Sequence, residues 1–317
     1  MKQSVAVNMA IVALLSLSCK TEGRPQPPNS LPEVTLPFVG DYDITTLEVT
    51  DEFTAKATSL GEVNDINEAS GLAASTINPG YLWTHEDSGA DAEVILLNRW
   101  GKVVVSYQLK DAQNVDWEDM ATGPGPDAGS KYLYLADIGD NNAKRDDVVI
   151  YRIKEPIYNP ADSGKTIEVT GVEQLTATYP KGARDAETLM IDPLSRDIFV
   201  VTKREDSVQL FELTYPQGWG DVDTFSLRGT FPFTGITGGD ISEDGKRVLL
   251  KSYSAIFYWK MEQQEPISHL LSRKPQRAPY NPVEFQGEAI CWFKNNYYTL
   301  SEKVAGFTPK LYLYSKR

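Results

Sequence analysis

The sequence predicts an all-β chain folded as a β-propeller, on three observations. Short apolar runs of four to seven residues recur along the chain, separated by turn signals such as Asn78-Pro79-Gly80, Asp87-Ser88-Gly89 and Asp244-Gly245. Amphipathic helical periodicity is nearly absent; its one long candidate, Ala10 to Leu17, lies in a leader-like stretch. A unit of about fifty residues repeats, each opening on a small-acidic motif that runs into an apolar strand.

The first residues read differently from the rest. Met1-Lys2-Gln3 precedes an apolar run from Val5 to Leu17, and Ser18-Cys19 follows. The run is short for a membrane span and has the layout of a signal peptide. It resembles a lipoprotein signal, with residues 1–18 removed and Cys19 carrying the lipid, although Leu17 stands one position closer to the cysteine than that pattern has it. Residues 19–40, rich in Pro, Gly, Ser and Thr, bury too little apolar surface to order themselves and are expected to be a tether. The propeller is expected over 41–317. This places the protein in a bacterial cell envelope, periplasmic or surface-facing, held to the membrane by lipid at Cys19.

Five unit openings follow in order: Asn67-Glu68-Ala69-Ser70-Gly71, Asp116-Trp117-Glu118-Asp119, Asp185-Ala186-Glu187-Thr188, Gly238-Gly239-Asp240 and Gln286-Gly287-Glu288-Ala289. Their acids stand 50, 69, 53 and 48 residues apart. A second strand follows each opening, the first at Tyr81 to Thr84 and the last at Tyr297 to Leu300, and then a third, from Val94 to Leu97 through Lys310 to Tyr314. A fourth, less regular strand closes the first four units, and four antiparallel strands at this period make a propeller blade. The fifth unit ends at its third strand, so Thr46 to Leu60 is expected to supply the missing outer strand and close the ring. Five blades result, with six left open by the 69-residue spacing. A sandwich would not repeat in fours with one acid each.

Inner strands line the channel of a propeller, so the markers should converge. The expected ring is Glu68, Glu118, Glu187, Asp240 and Glu288, or in place of these acids their immediate neighbours Ser70 and Thr237, and the expected metal ligands are those five acids with Ser70. Crowded carboxylates repel and resist desolvation. A hard cation that takes six to eight oxygens relieves both, which favours calcium over zinc, and no cysteine or histidine cluster offers softer ligands. The same acids could instead only knit neighbouring blades by accepting backbone hydrogen bonds. The ends of the second strands, His85 to Ser88, Asp137 to Asn142, Lys203 to Asp206, Lys251 to Tyr253 and Ser301 to Lys303, should rim the same mouth and combine carboxylates such as Asp87 and Glu302 with His85, Lys203, Arg204, Lys251 and Lys303. Bases around a cation suit an anionic small molecule. Asp137 to Asn142 could form a small calcium loop, without EF-hand spacing.

The openings Glu68-Ala69-Ser70-Gly71-Leu72, Trp117-Glu118, Ala186-Glu187 and Gly287-Glu288 resemble those of the calcium-activated nucleotidase (apyrase) family. That resemblance implies five blades and a channel calcium held by serine and glutamate; Thr237-Gly238-Gly239-Asp240 departs from it by lacking the serine. The openings also resemble the bacterial esterase-like phytase and SdiA-regulated propellers. Two functions are therefore expected: a binding propeller for a ligand or surface protein with calcium in its channel, or a calcium-dependent phosphoester hydrolase. In the second, Glu187 or Glu288 is the base, with His85, Lys203, Arg204 and Lys251 offsetting developing charge. There is no GxSxG elbow, P-loop or dinucleotide fingerprint. A net charge of −13 argues against nucleic acid as a partner. Cys291, in an apolar run, and Trp83, Trp117 and Trp292 read as core.

Overall fold

The computed structural model describes residues 33–282, 284–304 and 306–317. The leader, Cys19 and residues 20–32 of the expected tether lie outside the described residues.

Five sheets make five blades. Their inner strands are Ala69–Ala74, Trp117–Pro124, Ala186–Ile191, Ile236–Ile241 and Gly287–Phe293. Each pairs antiparallel with the strand that follows it, and each inner strand contacts the next blade's inner strand around a closed ring. Burial follows position in the blade. Ala186–Ile191 is buried at every residue, because both faces of an inner strand pack on neighbours. The outer strand Glu173–Thr178 alternates at its far end in the period of two expected when only one face is covered.

The apolar side chains gather between blades rather than in one centre. Trp83 and Leu96 of the first blade meet Leu133 and Tyr151 of the second. Tyr134 and Ile150 meet Ile198 and Phe211 of the third, whose other face sets Phe199 and Val201 against Leu250 and Phe257. Leu249 and Tyr258 meet Trp292 and Tyr297. Cys291 and Leu300 return to Leu72 and Leu97, completing the circuit. Cys291, Trp83, Trp117 and Trp292 are all core.

The ring closes as the sequence predicts: Thr58–Glu62 pairs antiparallel with Lys310–Tyr314 and becomes the outer strand of the fifth blade. The rest of the N-terminal segment does something the sequence reading did not foresee. Phe38–Val39 pairs parallel with the outer strand of the third blade, so order begins within the stretch assigned to the tether. The cause is Phe38, which packs edge-on against Phe231. Val49 then bridges Arg277 on the fourth blade, and Phe53 bridges Lys316 on the fifth. The segment is a strap laid across three consecutive blades.

The 69-residue spacing hides no sixth blade. It accommodates Thr166–Val169, which runs back to pair parallel with Val103–Leu109 on the first blade. Val222–Thr224 joins the second blade in the same way. The first three blades therefore carry a fifth, parallel outer strand. Ile267–Leu271 is the single α-helix among the described residues.

Candidate functional site

Every inner strand slips its register by one residue near its start. The residue at the slip is Ser70, Glu118, Glu187, Thr237 and Glu288 in blades one to five. Such a bulge leaves one residue unpaired and re-aims it. The ring is thus three glutamates and two hydroxyls. The Ser70 hydroxyl donates to the backbone carbonyl of Glu118 at 2.6 Å, and that of Thr237 to the carbonyl of Glu288 at 3.2 Å. In both cases a hydroxyl blade is pinned to the next blade's glutamate. Glu68 and Asp240, expected in the ring, lie on either side of it. Glu68 is exposed at the rim, because the slip falls after it. Asp240 stands three residues further along its strand and takes the Trp292 N–H at 2.8 Å.

Loop carboxylates converge on the glutamates. Ligand atoms of Asp87, Asp116 and Glu118 lie within 4.8 Å of one another, as do those of Glu118, Asp185 and Glu187. Glu118 belongs to both groups. Asp116 is held in place from behind: Asp137 accepts its N–H at 3.2 Å and that of Val115 at 3.1 Å, and pairs with Arg145 at 2.7 Å. Asp140 accepts the N–H groups of Lys144 and Arg145. The carboxylates of the Asp137 to Asn142 loop are therefore engaged in building it. Gly139 lies so close that a Cβ there would run into the carboxyls of Glu118 and Asp116.

Charge is unevenly compensated. Lys203 pairs with Glu187 and reaches Glu288 at 3.9 Å. Burial works against the Lys203 charge, but the two carboxylates outweigh it and hold the ammonium above its ordinary range. Arg204 pairs with Asp185 and bonds Asn141. The Tyr253 hydroxyl donates to Glu288 at 2.6 Å. Among the described residues no cation pairs with Asp87, Asp116 or Glu118. Burial, reinforced by Glu187, Asp87 and Asp116, raises the Glu118 carboxyl well above the usual carboxylate range. Burial likewise pushes Asp87 up to about 6. Burial, with Glu288 adding to it, pushes Glu302 up to about 8. Glu187 keeps one oxygen, Oε2, buried and without any hydrogen-bond partner.

Two expected bases do not face the mouth. His85 is wholly buried against Trp117; its Nδ1 lies 3.0 Å from the Glu86 carbonyl, and burial lowers it to about 4, so it is neutral. Lys251 is also wholly buried, donates to the Gly287 carbonyl, and is lowered to about 8 by burial. Both point into blade packing because the second strands are buried on both faces. Asp87, Tyr253 and Glu302 reach the mouth on the second-strand ends expected to rim it, whereas Asp116 and Asp185 join it without having been expected there. The doublets Asp116-Trp117-Glu118 and Asp185-Ala186-Glu187, each an acid two residues before the ring glutamate, were the available signal.

The chain is thus a five-bladed β-propeller with a carboxylate-lined channel mouth. No family model matches it, and no curated protein does. Among solved structures it is similar to the crystal structure of a nidogen/laminin complex, with a TM-score of 0.40 and 9% identity over 75% of this chain and 73% of that one. It is also similar to a Dos1 propeller, with a TM-score of 0.38 and 8% identity over 84% of this chain and 96% of that one. Likenesses this distant carry no functional argument, and the blade architecture rests on the strand pairing itself.

Proposed function

We propose that the channel mouth binds calcium and that the protein is a ligand- or protein-binding propeller of the bacterial cell envelope, anchored by lipid at Cys19. The observation that carries the metal is Glu187 Oε2, a buried carboxylate oxygen without a partner, set among ligand atoms of Glu118 and Asp185. Leaving such a group unsatisfied is costly, and a cation satisfies it. Asp87, Asp116, Glu118, Asp185 and Glu187 present only hard oxygens, the ligand set calcium prefers. Calcium bound there would supply a positive centre able to hold an anionic or polyol group of a ligand. Glu288 stands at the edge of this set, engaged by Tyr253.

A second reading is favoured by Lys203, which lies beside the proposed metal ligands and whose ammonium meets both Glu187 and Glu288. An anion at the mouth would find that cation and Arg204 next to calcium, the arrangement a phosphoester hydrolase needs. The resemblance of the openings to the nucleotidase and esterase-like phytase groups supports this reading.

Both readings need calcium, so the test is calcium titration of the purified full-length protein with elemental analysis, followed by assay of phosphate esters and nucleotides. Bound calcium with a raised melting temperature is expected. Absence of both would remove the metal and the hydrolase together. Calcium without turnover of any phosphoester leaves the binding propeller.

A further inference from the structure

The inner strands all run the same way through the ring, from the acidic mouth to its opposite end. Their last residues, among them Ala74, Pro124, Ile191, Ile241 and Phe293, wall a second cavity of about 320 Å³. All five blades contribute to it, so it is the far mouth of the channel. Its size suits a small organic molecule, and its walls set apolar side chains beside hydroxyl and charged groups.

Four charged side chains line this cavity, two of each sign: Asp240, Glu243, Lys131 and Lys294. They are not equivalent. Glu243 and Lys294 are exposed at hairpin turns, whereas Asp240 is half-buried on an inner strand. One oxygen of Asp240 accepts the Trp292 N–H at 2.8 Å, and no cation among the described residues pairs with it. Lys131 opens the second strand of the second blade. No carboxylate among the described residues pairs with Lys131 or Lys294. A half-desolvated carboxylate in an apolar cup, with unpaired ammonium groups at its edge, is complementary to a molecule that carries both signs of charge.

We propose that this far mouth binds an apolar α-amino acid, or a ligand that presents the same zwitterion on an apolar body. Its ammonium sits on Asp240, its carboxylate faces Lys131 and Lys294, and its side chain fills the space beside Ile191, Ile241 and Phe293. A lone amine would leave the lysines unanswered, and a lone acid would meet Asp240 with like charge. Charge-assisted hydrogen bonds of this kind are the strong ones in a partly dry site. The site shares no residue with the acidic mouth and stands without the calcium.

The test is isothermal titration of the full-length protein with three probes of one shape: phenylalanine, 2-phenylethylamine and 3-phenylpropionate. Phenylalanine should bind best, and losing either charged group should weaken binding about tenfold. Asp240→Asn keeps an acceptor for the Trp292 N–H and should cost phenylalanine about tenfold or more. Replacing Lys131 and Lys294 together by Ala should erase the preference for phenylalanine over phenylethylamine. Thr122→Trp, which fills the cavity from a half-buried inner-strand position, should abolish binding of all three, and it decides the matter if the Asp240 variant does not fold. Glu168→Gln, exposed on the outermost strand of the first blade, should leave phenylalanine binding unchanged. No binding of any probe, equal binding of all three, or phenylalanine binding that survives Thr122→Trp would overturn the proposal.

Discussion

Glu118 and Glu187 carry the same charge one blade apart, yet their surroundings make opposite predictions for the same substitution. Glu118 is buried, faces Asp87, Asp116 and Glu187, and has no cation partner among the described residues. Glu118→Gln removes repulsion, so the metal-free protein should gain about 1 kcal/mol, while affinity for the proposed calcium should fall at least about tenfold. Glu187 is the partner of Lys203. Glu187→Gln leaves that ammonium only the more distant Glu288, at 3.9 Å, and should lose stability, toward the low end of the about 3–5 kcal/mol seen for broken buried pairs. Chemical denaturation in EDTA reads both. Equal shifts in the two variants would show that the lysine does not compensate Glu187 selectively.

The strap shows how one segment can hold several blades. Phe53 is almost fully buried, with ring centroids 5.0 to 5.9 Å from Tyr297, Tyr258 and Trp292. It thus fills the seam between the fourth and fifth blades at the point where the chain must turn to become the closing strand. Phe53→Ala should cost about 3–5 kcal/mol, as large-to-small changes in a packed aromatic seam do. Urea titration would check this; a loss below about 1 kcal/mol would mean the seam closes without the strap. The parallel outer strands of the first three blades work in a related way, covering edges that would otherwise present unpaired N–H and C=O groups.

Taken whole, the molecule holds many more strained acids than strained bases, and its pH response follows. A carboxyl whose folded pKa exceeds its unfolded value keeps its proton longer when folded, so stability falls as pH rises through that interval. Asp240 and Glu284, each pushed up to about 7 by burial, and Glu302, at about 8, all titrate in this sense. His85, lowered to about 4 by burial, works the other way, but only below its ordinary value of 6.5. Lys251, lowered to about 8, adds stability only above that pH. Between pH 6.5 and 8 the acids act alone, and the melting temperature in EDTA should decline across that window. Calcium at the proposed site would favour the ionised mouth and should flatten the decline. A melting temperature that rises over this range without metal would contradict the assigned burial of these groups.

Much of this architecture is written in local pattern. Repeated openings, period-two runs and turn dipeptides specify five blades. A fifth unit one strand short demands a closing strand from the N-terminus, since a missing strand leaves a hydrogen-bonding edge that some other segment must fill. Apolar runs around Trp83, Trp117, Trp292 and Cys291 place those side chains in the core, because hydrophobic burial depends little on register detail. The mouth is another matter. The sequence left open whether Glu68 or Ser70, and Asp240 or Thr237, stands at the acidic mouth; the register slips put Ser70 and Thr237 there, while Glu68 stays exposed at the rim and Asp240 lies further along its strand, at the far mouth. Nothing local marks a bulge. Nor could spacing reveal that Asp116 and Asp185 turn in to meet Glu118 and Glu187, or that His85 and Lys251 turn into packed interiors. Those placements depend on how five separately legible blades pack around one axis, where side chains distant in sequence compete for the same few cubic ångströms.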